Sequence, residues 1–522
     1  MQVLNANPEP VKIHQGTRLG VSTPSHAICT VTEEGTSPET TLPESLNIDL
    51  DSSNLSSVQI QELKRSLVSF SDLFASPTGA LGRTSVVKHA IQTDGPPVKQ
   101  QLRRMPEALK AAVKEEVQKM LNQGVVRPSS SPWSSPTVLV KKKNGAWRFC
   151  VDYRKVNSMT RRDAYPLPRI DATLDALAGA QYFTTLDLAS GYWQVELEED
   201  AKKKTAFSTP FGHYEFNVMP FGLTNAPPTF QRLMDCVLAG ISPEQCLIYL
   251  DDIIVFSQTF QEHLQRLSNV LKEIRKAGLK LQGSKCKFAC KEVHYLGYIV
   301  SQGGISPDPD KLRAVSAFPA PSNEKQLREF LGLSNYYRRF VKNYSQIAEP
   351  LYKLTKKNTK GFQWDAACQQ AFDDLKQRLT SPPILTYPVF TLPFIVHADA
   401  SERAIGGVLS QVQEGEERVI GYWSRQLNKA ERNYSTVERE ALAVVAAVKE
   451  FYPYLYGFHF TLVTDHNPLT SLKGLNDVHG RLTRWIPSYN SLTFSLSIGP
   501  GESMVMQMHF LGGRPKSLRY WL

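Results

Sequence analysis

The stretch Cys246-Leu247-Ile248-Tyr249-Leu250-Asp251-Asp252-Ile253-Ile254-Val255-Phe256 sets two adjacent carboxylates between two apolar runs. Runs of this length, rich in Ile, Val, Tyr and Phe, read as buried strands. Neighbouring Asp side chains cost free energy in such surroundings unless cations or donors compensate them. On a flat strand consecutive side chains point to opposite faces, whereas at a tight turn both can approach one metal. The pattern predicts a hairpin with Asp251 and Asp252 near its tip, suited to Mg²⁺. The plainer reading is an ordinary Asp-Asp turn between two strands.

A chain of 522 residues exceeds one hydrophobic core, so three or four domains are expected. With 41% hydrophobic and 21% charged residues, wholesale disorder is excluded. The net charge of +10 favours polyanionic partners and salt-sensitive binding. Seven scattered cysteines make a disulfide framework improbable and point to a reducing compartment. Cys286, Cys290 and His294 match no compact zinc spacing. The N-terminus has no signal-peptide pattern, and the apolar helical run Ala441 to Val448 is too short to cross a bilayer. The expectation is a soluble intracellular protein, cytoplasmic or nuclear, with no membrane partner.

Along the chain, residues 1–45 read as a linker or a truncated end, and Gln59 to Phe74 as a short amphipathic helix. Pro106 to Gly124 reads as a longer one, with Leu109, Val113, Val117, Met120 and Leu121 on one face. The strand Thr137 to Val140, the turn Lys141-Lys142-Lys143-Asn144-Gly145 and the return through Arg148 form a hairpin with basic groups at its tip. Such a hairpin suits a phosphate-gripping finger, or a solvated lysine turn. Phe183 to Leu188 places a lone Asp187 at the end of an apolar strand, usually the place of a helix cap. Amphipathic helices follow at Gln261–Ala277, 323–341 and 345–354, around a hairpin at Val293 to Val300.

Pro393 to Asp399 and Phe460 to Asp465 each read as a strand ending in an acid. Ser435-Thr436-Val437-Glu438 has the form of a capping box, which gives Glu438 a structural role. Glu440 shares a stripe with Val444 and Ala447 that should press on the sheet. A carboxylate on such a stripe needs a reason, and a metal is one. Asp399, Glu440 and Asp465 therefore form a second acidic constellation suited to two divalent ions.

Tyr249-Leu250-Asp251-Asp252, Leu186-Asp187-Leu188-Ala189-Ser190-Gly191-Tyr192 and Met219-Pro220-Phe221-Gly222-Leu223-Thr224-Asn225-Ala226-Pro227 resemble the reverse transcriptase of gypsy-type LTR retrotransposons. Tyr295-Leu296-Gly297, Phe330-Leu331-Gly332-Leu333 and Tyr336-Tyr337-Arg338-Arg339-Phe340 resemble its later segments. His397-Ala398-Asp399-Ala400-Ser401, Glu440 and Val463-Thr464-Asp465-His466 resemble its ribonuclease H domain. The resemblance covers roughly residues 85–485 in order. It implies an α+β multidomain protein, a right-hand polymerase of fingers, palm and thumb followed by a ribonuclease H-like α/β domain.

On that reading 1–84 is an upstream linker with a short helix, 85–305 the fingers and palm, 306–360 thumb-like helices, 361–390 a connecting helix, 391–486 the ribonuclease H-like domain and 487–522 an aberrant tail. Asp187, Asp251 and Asp252 would hold two Mg²⁺ ions, with Mn²⁺ as an alternative, and Asp399, Glu440 and Asp465 two more. Lys142, Arg148, Tyr192 and Phe221 would meet the incoming dNTP, Tyr192 as the gate that rejects a 2′-hydroxyl. Tyr295, Leu296, Gly297 and Tyr298 would grip the primer. The implied partners are an RNA template, a DNA primer, an RNA–DNA hybrid and dNTPs; the oligomeric state is open. The competing reading is a non-catalytic, domesticated or decaying remnant that binds nucleic acid without turnover.

The family's ribonuclease H ends in Arg-Pro-Gly and then Asn-Ala-Asp-Ala-Leu-Ser-Arg, whose Asp is a fourth metal ligand. Here Gly501 to Gly512 reads differently. Back-translating Met504 to Gly512 and reading from the third nucleotide permits Gly-Asn-Ala-Asp-Ala-Leu-Ser-Arg; Ile498 to Gly501 permits Arg-Pro-Gly. A frame shift between Trp485 and Ile498 is therefore expected, with a spliced-in tail as the alternative. No Asp-Thr-Gly or Asp-Ser-Gly protease motif, zinc knuckle or integrase is read in the sequence, which suits a piece of a longer polyprotein or a remnant of one.

Overall fold

The strand carrying Asp252 is apolar on both sides because it lies between two cores. The computed structural model describes residues 48, 50, 55–75, 81–102, 104–141, 147–356, 361–464 and 493–498, all within one compact unit, Leu42–Leu522. In its palm, Lys287–Cys290, Tyr182–Asp187, Asp252–Ser257 and Cys246–Tyr249 form an antiparallel sheet in that order. Ile253 and Val255 pack against helices Ala226–Val237 and Phe260–Lys276, while Ile254 joins Phe183, Tyr295 and Phe330 in a second core. A strand covered on both faces shows no polar alternation.

His263 fastens the helix Phe260–Lys276 to this sheet. Ser257 Oγ donates to Thr259 O at 2.9 Å, so it accepts from His263 Nδ1 at 3.1 Å. Thr184 Oγ1 accepts the Ala289 N–H at 2.9 Å and gives its own proton to His263 Nε2 at 2.7 Å. The network thus assigns a neutral imidazole with its proton on Nδ1.

The fingers are a five-stranded sheet in the order Val126–Pro128, Gly212–Phe216, Phe207–Thr209, Ser135–Lys141 and Trp147–Val151. The expected helix over 106–124 spans Glu107–Asn122, buries Val113, Val117 and Met120, and is followed by Gly124 at φ +65°. The expected hairpin forms, with Arg148 opposite Val140 in the ladder. Lys142 and the turn to Asn144-Gly145 lie outside the described residues.

Beyond the palm, Glu292–Tyr295, Tyr298–Ser301 and Gly304–Pro307 form a meander. Helices Pro309–Ser316, Glu324–Tyr336, Tyr344–Ile347, Glu349–Leu354 and Ala366–Thr380 follow; Phe330 and Phe372 meet at 4.5 Å in the second core that also holds Phe183 and Ile254.

The last domain is a five-stranded sheet in the order Glu416–Gln426, Ala404–Gln413, Phe394–Ala400, His459–Thr464 and Thr493–Ile498. The last three strands pair in parallel, so Thr493–Ile498, assigned by the sequence to the tail, continues the sheet. Helix Thr436–Glu450 covers one face and opens with the expected Ser435–Glu438 capping box. Residues 499–522 lie outside the described residues.

This domain is tied to the rest of the chain by polar contacts. Glu349, 3% exposed, meets Lys353 at 3.3 Å, Arg403 at 3.2 Å and Arg432 at 3.4 Å. Ser345 donates twice to Ser424, from its N–H to Oγ and from its hydroxyl to the carbonyl, and the Tyr454 hydroxyl donates to Asp175 at 2.6 Å. Among the described residues no helix is long and apolar enough to cross a membrane.

Candidate active site

Three carboxylates end two neighbouring palm strands. Asp252 stands directly opposite Asp187 on one side and Tyr249 on the other, so Leu250 and Asp251 form a two-residue turn. Cross-strand partners lie about 5 Å apart at Cα, within reach of a shared ion. Leu250 takes φ +57°, a conformation that favours glycine, at the first turn position. Gln231 Oε1 accepts the Leu250 N–H at 2.8 Å.

The electrostatics follow from this crowding. Partial burial and then the charge of Asp251 raise the Asp187 carboxyl above its ordinary value, against the pull of Lys285. Crowding by protein atoms, then the charges of Asp251 and Asp187, push Asp252 up to about 6, although solvent still reaches its carboxyl. Lys285 Nζ lies 3.1 Å from Asp187 Oδ1 and 3.3 Å from Oδ2. Carboxylate oxygens suit hard divalent cations, and repulsion between them is what a cation relieves. On that donor chemistry the site fits Mg²⁺. Among the described residues no three His, Cys, Asp or Glu side chains already stand close enough to hold an ion.

Two of the expected nucleotide contacts come together beside these acids. Tyr192 and Phe221 stack with centroids 5.2 Å apart at 25°, and Tyr192 also packs on Phe230 at 5.2 Å. Burial and the nearby Asp251 push the Tyr192 hydroxyl up to about 12, so it stays protonated. Phe221 is 50% exposed in a loop that Asn157 pins, donating to Gly222 O at 2.8 Å and accepting the Thr224 N–H at 2.9 Å.

The expected primer grip is a turn rather than a set of rings. Tyr295 and Tyr298 are each 3% exposed, inside the second core. Leu296 at φ +49° and Gly297 at φ +76° form the turn between them, and their carbonyls accept the Tyr336 and Tyr337 hydroxyls at 2.6 and 2.8 Å. Any contact to nucleic acid here falls to Leu296, Gly297 and the backbone.

In the last domain, Asp399 pairs with Gly406, and a Cβ on Gly406 would lie 3.1 Å from Asn343 Oδ1. A Cβ on the next residue, Gly407, would lie 2.8 Å from Ala447 Cβ. Asp399 therefore shares the sheet face turned to Asn343, and the stripe of Glu440 and Ala447 covers the other. Asp465 lies outside the described residues.

Sequence reasoning missed Lys285 and Gln231. Lys285 is an exposed lysine in a short helix, Gly283–Lys285, without a local signature. Gln231 is completely buried on Ala226–Val237, and no local pattern marks it. Cys286 and Cys290 are buried, and His294 pairs with Asp308.

Two family models match: reverse transcriptase (RNA-dependent DNA polymerase) over residues 140–300, and the RNase H-like domain found in reverse transcriptase over 364–462. The Pol polyprotein from transposon 297 of Drosophila melanogaster is 42% identical over 447 residues, covering 84% of this chain and 42% of that protein. The Pol polyprotein from transposon gypsy of the same species is 37% identical over 456 residues, covering 83% of this chain and 44% of that one. The chain thus spans less than half the length of these relatives. The foamy viral protease–reverse transcriptase solved with double-stranded DNA superposes with a TM-score of 0.77 at 23% identity, over 88% of this chain and 81% of that one, and shows the same fold. The paired acidic strands of the palm and the sheet that follows it thus have matching families in the matching order, and the chain belongs to the gypsy-type retrotransposon Pol polyproteins, with their reverse transcriptase and ribonuclease H-like domains.

Proposed function

We propose that the chain is an RNA-directed DNA polymerase that extends a DNA primer on RNA or DNA by two-metal nucleotidyl transfer, with a weaker ribonuclease H activity on RNA–DNA hybrids. The observation that carries the polymerase reading is the pairing of Asp252 with Asp187, with Asp251 in the adjoining turn. These three side chains would hold Mg²⁺, or Mn²⁺ in its place. Bound there, the ions would lower the pKa of the primer 3′-hydroxyl and offset charge on the departing pyrophosphate. Lys285 sets an opposite charge against Asp187. The stacked Tyr192 and Phe221 offer a flat apolar ledge to the sugar of a dNTP. Lys142 and Arg148 remain the candidates for the triphosphate, and the Leu296–Gly297 turn for the primer.

The ledge predicts sugar selection. Replacing Tyr192 by Ala opens the space a 2′-hydroxyl needs, and discrimination against rNTPs falls about 100-fold. Single-nucleotide incorporation with dNTP and rNTP pairs measures this; unchanged discrimination would remove Tyr192 from the role.

For the ribonuclease H site, Asp399, Glu440 and Asp465 remain the proposed ligands. The altered tail supports a weaker activity, because it lacks the segment that supplies a fourth Asp in the resembling family. The position of Asp399 on the sheet face away from the Glu440 stripe supports the same reading. With Mg²⁺, the purified chain is expected to extend a primer on RNA readily and to cut a labelled hybrid poorly. Robust hybrid cutting would overturn the impairment. The coding DNA tests the origin of the tail: its alternative frame should spell the family ending.

A further inference from the structure

Gln231 is completely buried on helix Ala226–Val237, a rare environment for a primary amide. Both ends of that amide are engaged. Its Oε1 accepts the Leu250 N–H at 2.8 Å, and its Nε2 donates to Asp235 Oδ1 at 3.0 Å. Asp235 Oδ2 in turn accepts the Tyr165 hydroxyl at 2.6 Å. Arg232 lies over the Tyr165 ring at 4.7 Å and binds Asp163 through both carboxylate oxygens, at 2.9 and 2.7 Å.

This chain of contacts ends on one backbone proton, that of the residue before Asp251. Leu250 adopts φ +57°, where an L side chain crowds its own backbone at a cost of about 1 kcal/mol. Left to itself the turn would relax, and rotation about Leu250 would swing Asp251 relative to Asp252 and Asp187. A buried acceptor aimed at the Leu250 N–H favours the strained conformer over its alternatives, because a relaxed turn leaves that acceptor unpaired.

We propose that Gln231 is a positioning residue for the polymerase site: through the Leu250 N–H it fixes the Asp251–Asp252 turn in the conformation that receives divalent ions, and Asp235 fixes the amide's orientation. The inference rests on the polymerase reading for its effect on turnover, and on the turn alone for its effect on ion binding. A side chain that merely filled the core would alter melting without altering either.

The test uses the full chain with Gln231→Leu, Gln231→Glu and the double variant Gln231→Glu with Asp235→Asn. The double variant exchanges the groups: a carboxylate oxygen still accepts the Leu250 N–H, and the new amide at 235 donates where Gln231 Nε2 did. Gln231→Glu alone sets two carboxylates against each other across a contact that is 3.0 Å in the native pair. The readouts are kcat and KM for dNTP in primer extension, and Mn²⁺ titration by electron paramagnetic resonance, counting the ion that Asp252→Asn removes. Gln231→Leu is expected to lower kcat about 100-fold, the scale of a misplacement near 1 Å, with KM for dNTP changed less than about threefold. Its Mn²⁺ affinity falls about tenfold, the low end for loss of a group that orients a ligand. The double variant recovers kcat and affinity to within about threefold of the native chain, which Gln231→Glu alone does not.

Native kcat and Mn²⁺ affinity in Gln231→Leu would overturn the proposal, as would a folded double variant no better than Gln231→Glu. Should Gln231→Leu not fold, the comparison of Gln231→Glu with the double variant decides in the same way. A folded native chain that extends no primer yet loses Mn²⁺ affinity in the variants would uphold the positioning role and refute the polymerase reading.

Discussion

Asp252→Asn is expected to abolish primer extension while leaving nucleic-acid binding in place. The substitution keeps the shape of the side chain and removes one of three charges that gather where Asp252 faces Asp187. An ion there is worth several kcal/mol to the transition state, so losing its ligand lowers kcat by about 10³-fold or more. Binding is carried by dispersed Lys and Arg side chains in a chain of net charge +10, and should change less than about threefold and keep its salt dependence. Extension of a labelled primer on RNA, with fluorescence anisotropy on the same duplex, separates the two effects. Asp251→Asn should behave alike. A variant as active as the native chain would remove these acids from the chemistry, and a native chain that binds without extending would favour the non-catalytic remnant.

The second large effect is on stability in mild acid. Burial, opposed by Asp163 and reinforced by Arg232, pushes His89 down to about 4, and burial reinforced by Arg266 pushes His263 down to about 3. Unfolded, both return to about 6.5. A histidine with a depressed folded value disfavours folding once the unfolded chain takes up the proton. Its stabilising effect is therefore complete above about pH 6.5 and is lost as the pH falls toward 4 for His89 and 3 for His263. At pH 5 the loss is about 2 kcal/mol for each. For His263 the reason is local: a proton on Nε2 would face Thr184 Oγ1, which already accepts the Ala289 N–H. Urea unfolding at pH 7 and pH 5 measures the difference. His263→Gln, which keeps a donor and an acceptor, should cut the pH-dependent loss by about half. An undiminished loss in that variant would exclude His263 as its source.

The strands and helices were legible where one periodicity ruled. The helix Glu107–Asn122 and the capping box at Ser435 followed from local pattern, as did the Asp251–Asp252 hairpin. Asp187 was different. No spacing along the chain predicts that residues 187 and 252 become cross-strand partners; the resemblance supplied that, and the sheet register agrees. Tyr295 and Tyr298 were expected in the primer grip, and the meander turns both rings into the core. The placing of Asp399 could have been anticipated, since Phe394, Val396 and Ala398 alternate inward and leave 399 on the other face. Gln231 and Lys285 act across 19 and 98 residues of sequence, and only the tertiary fold displays such pairs.

Glu349 holds its three cations across a domain boundary, with Lys353 from its own helix, Arg403 from the turn before the strand Ala404–Gln413 and Arg432 from the short helix Glu431–Asn433. A buried carboxylate stripped of these partners costs several kcal/mol. The two domains are therefore poor candidates for free reassortment between elements. A recombinant joining one lineage's polymerase to another's nuclease would survive only if the crossover fell upstream of Glu349, or if both parents kept the same acid and the same two arginines.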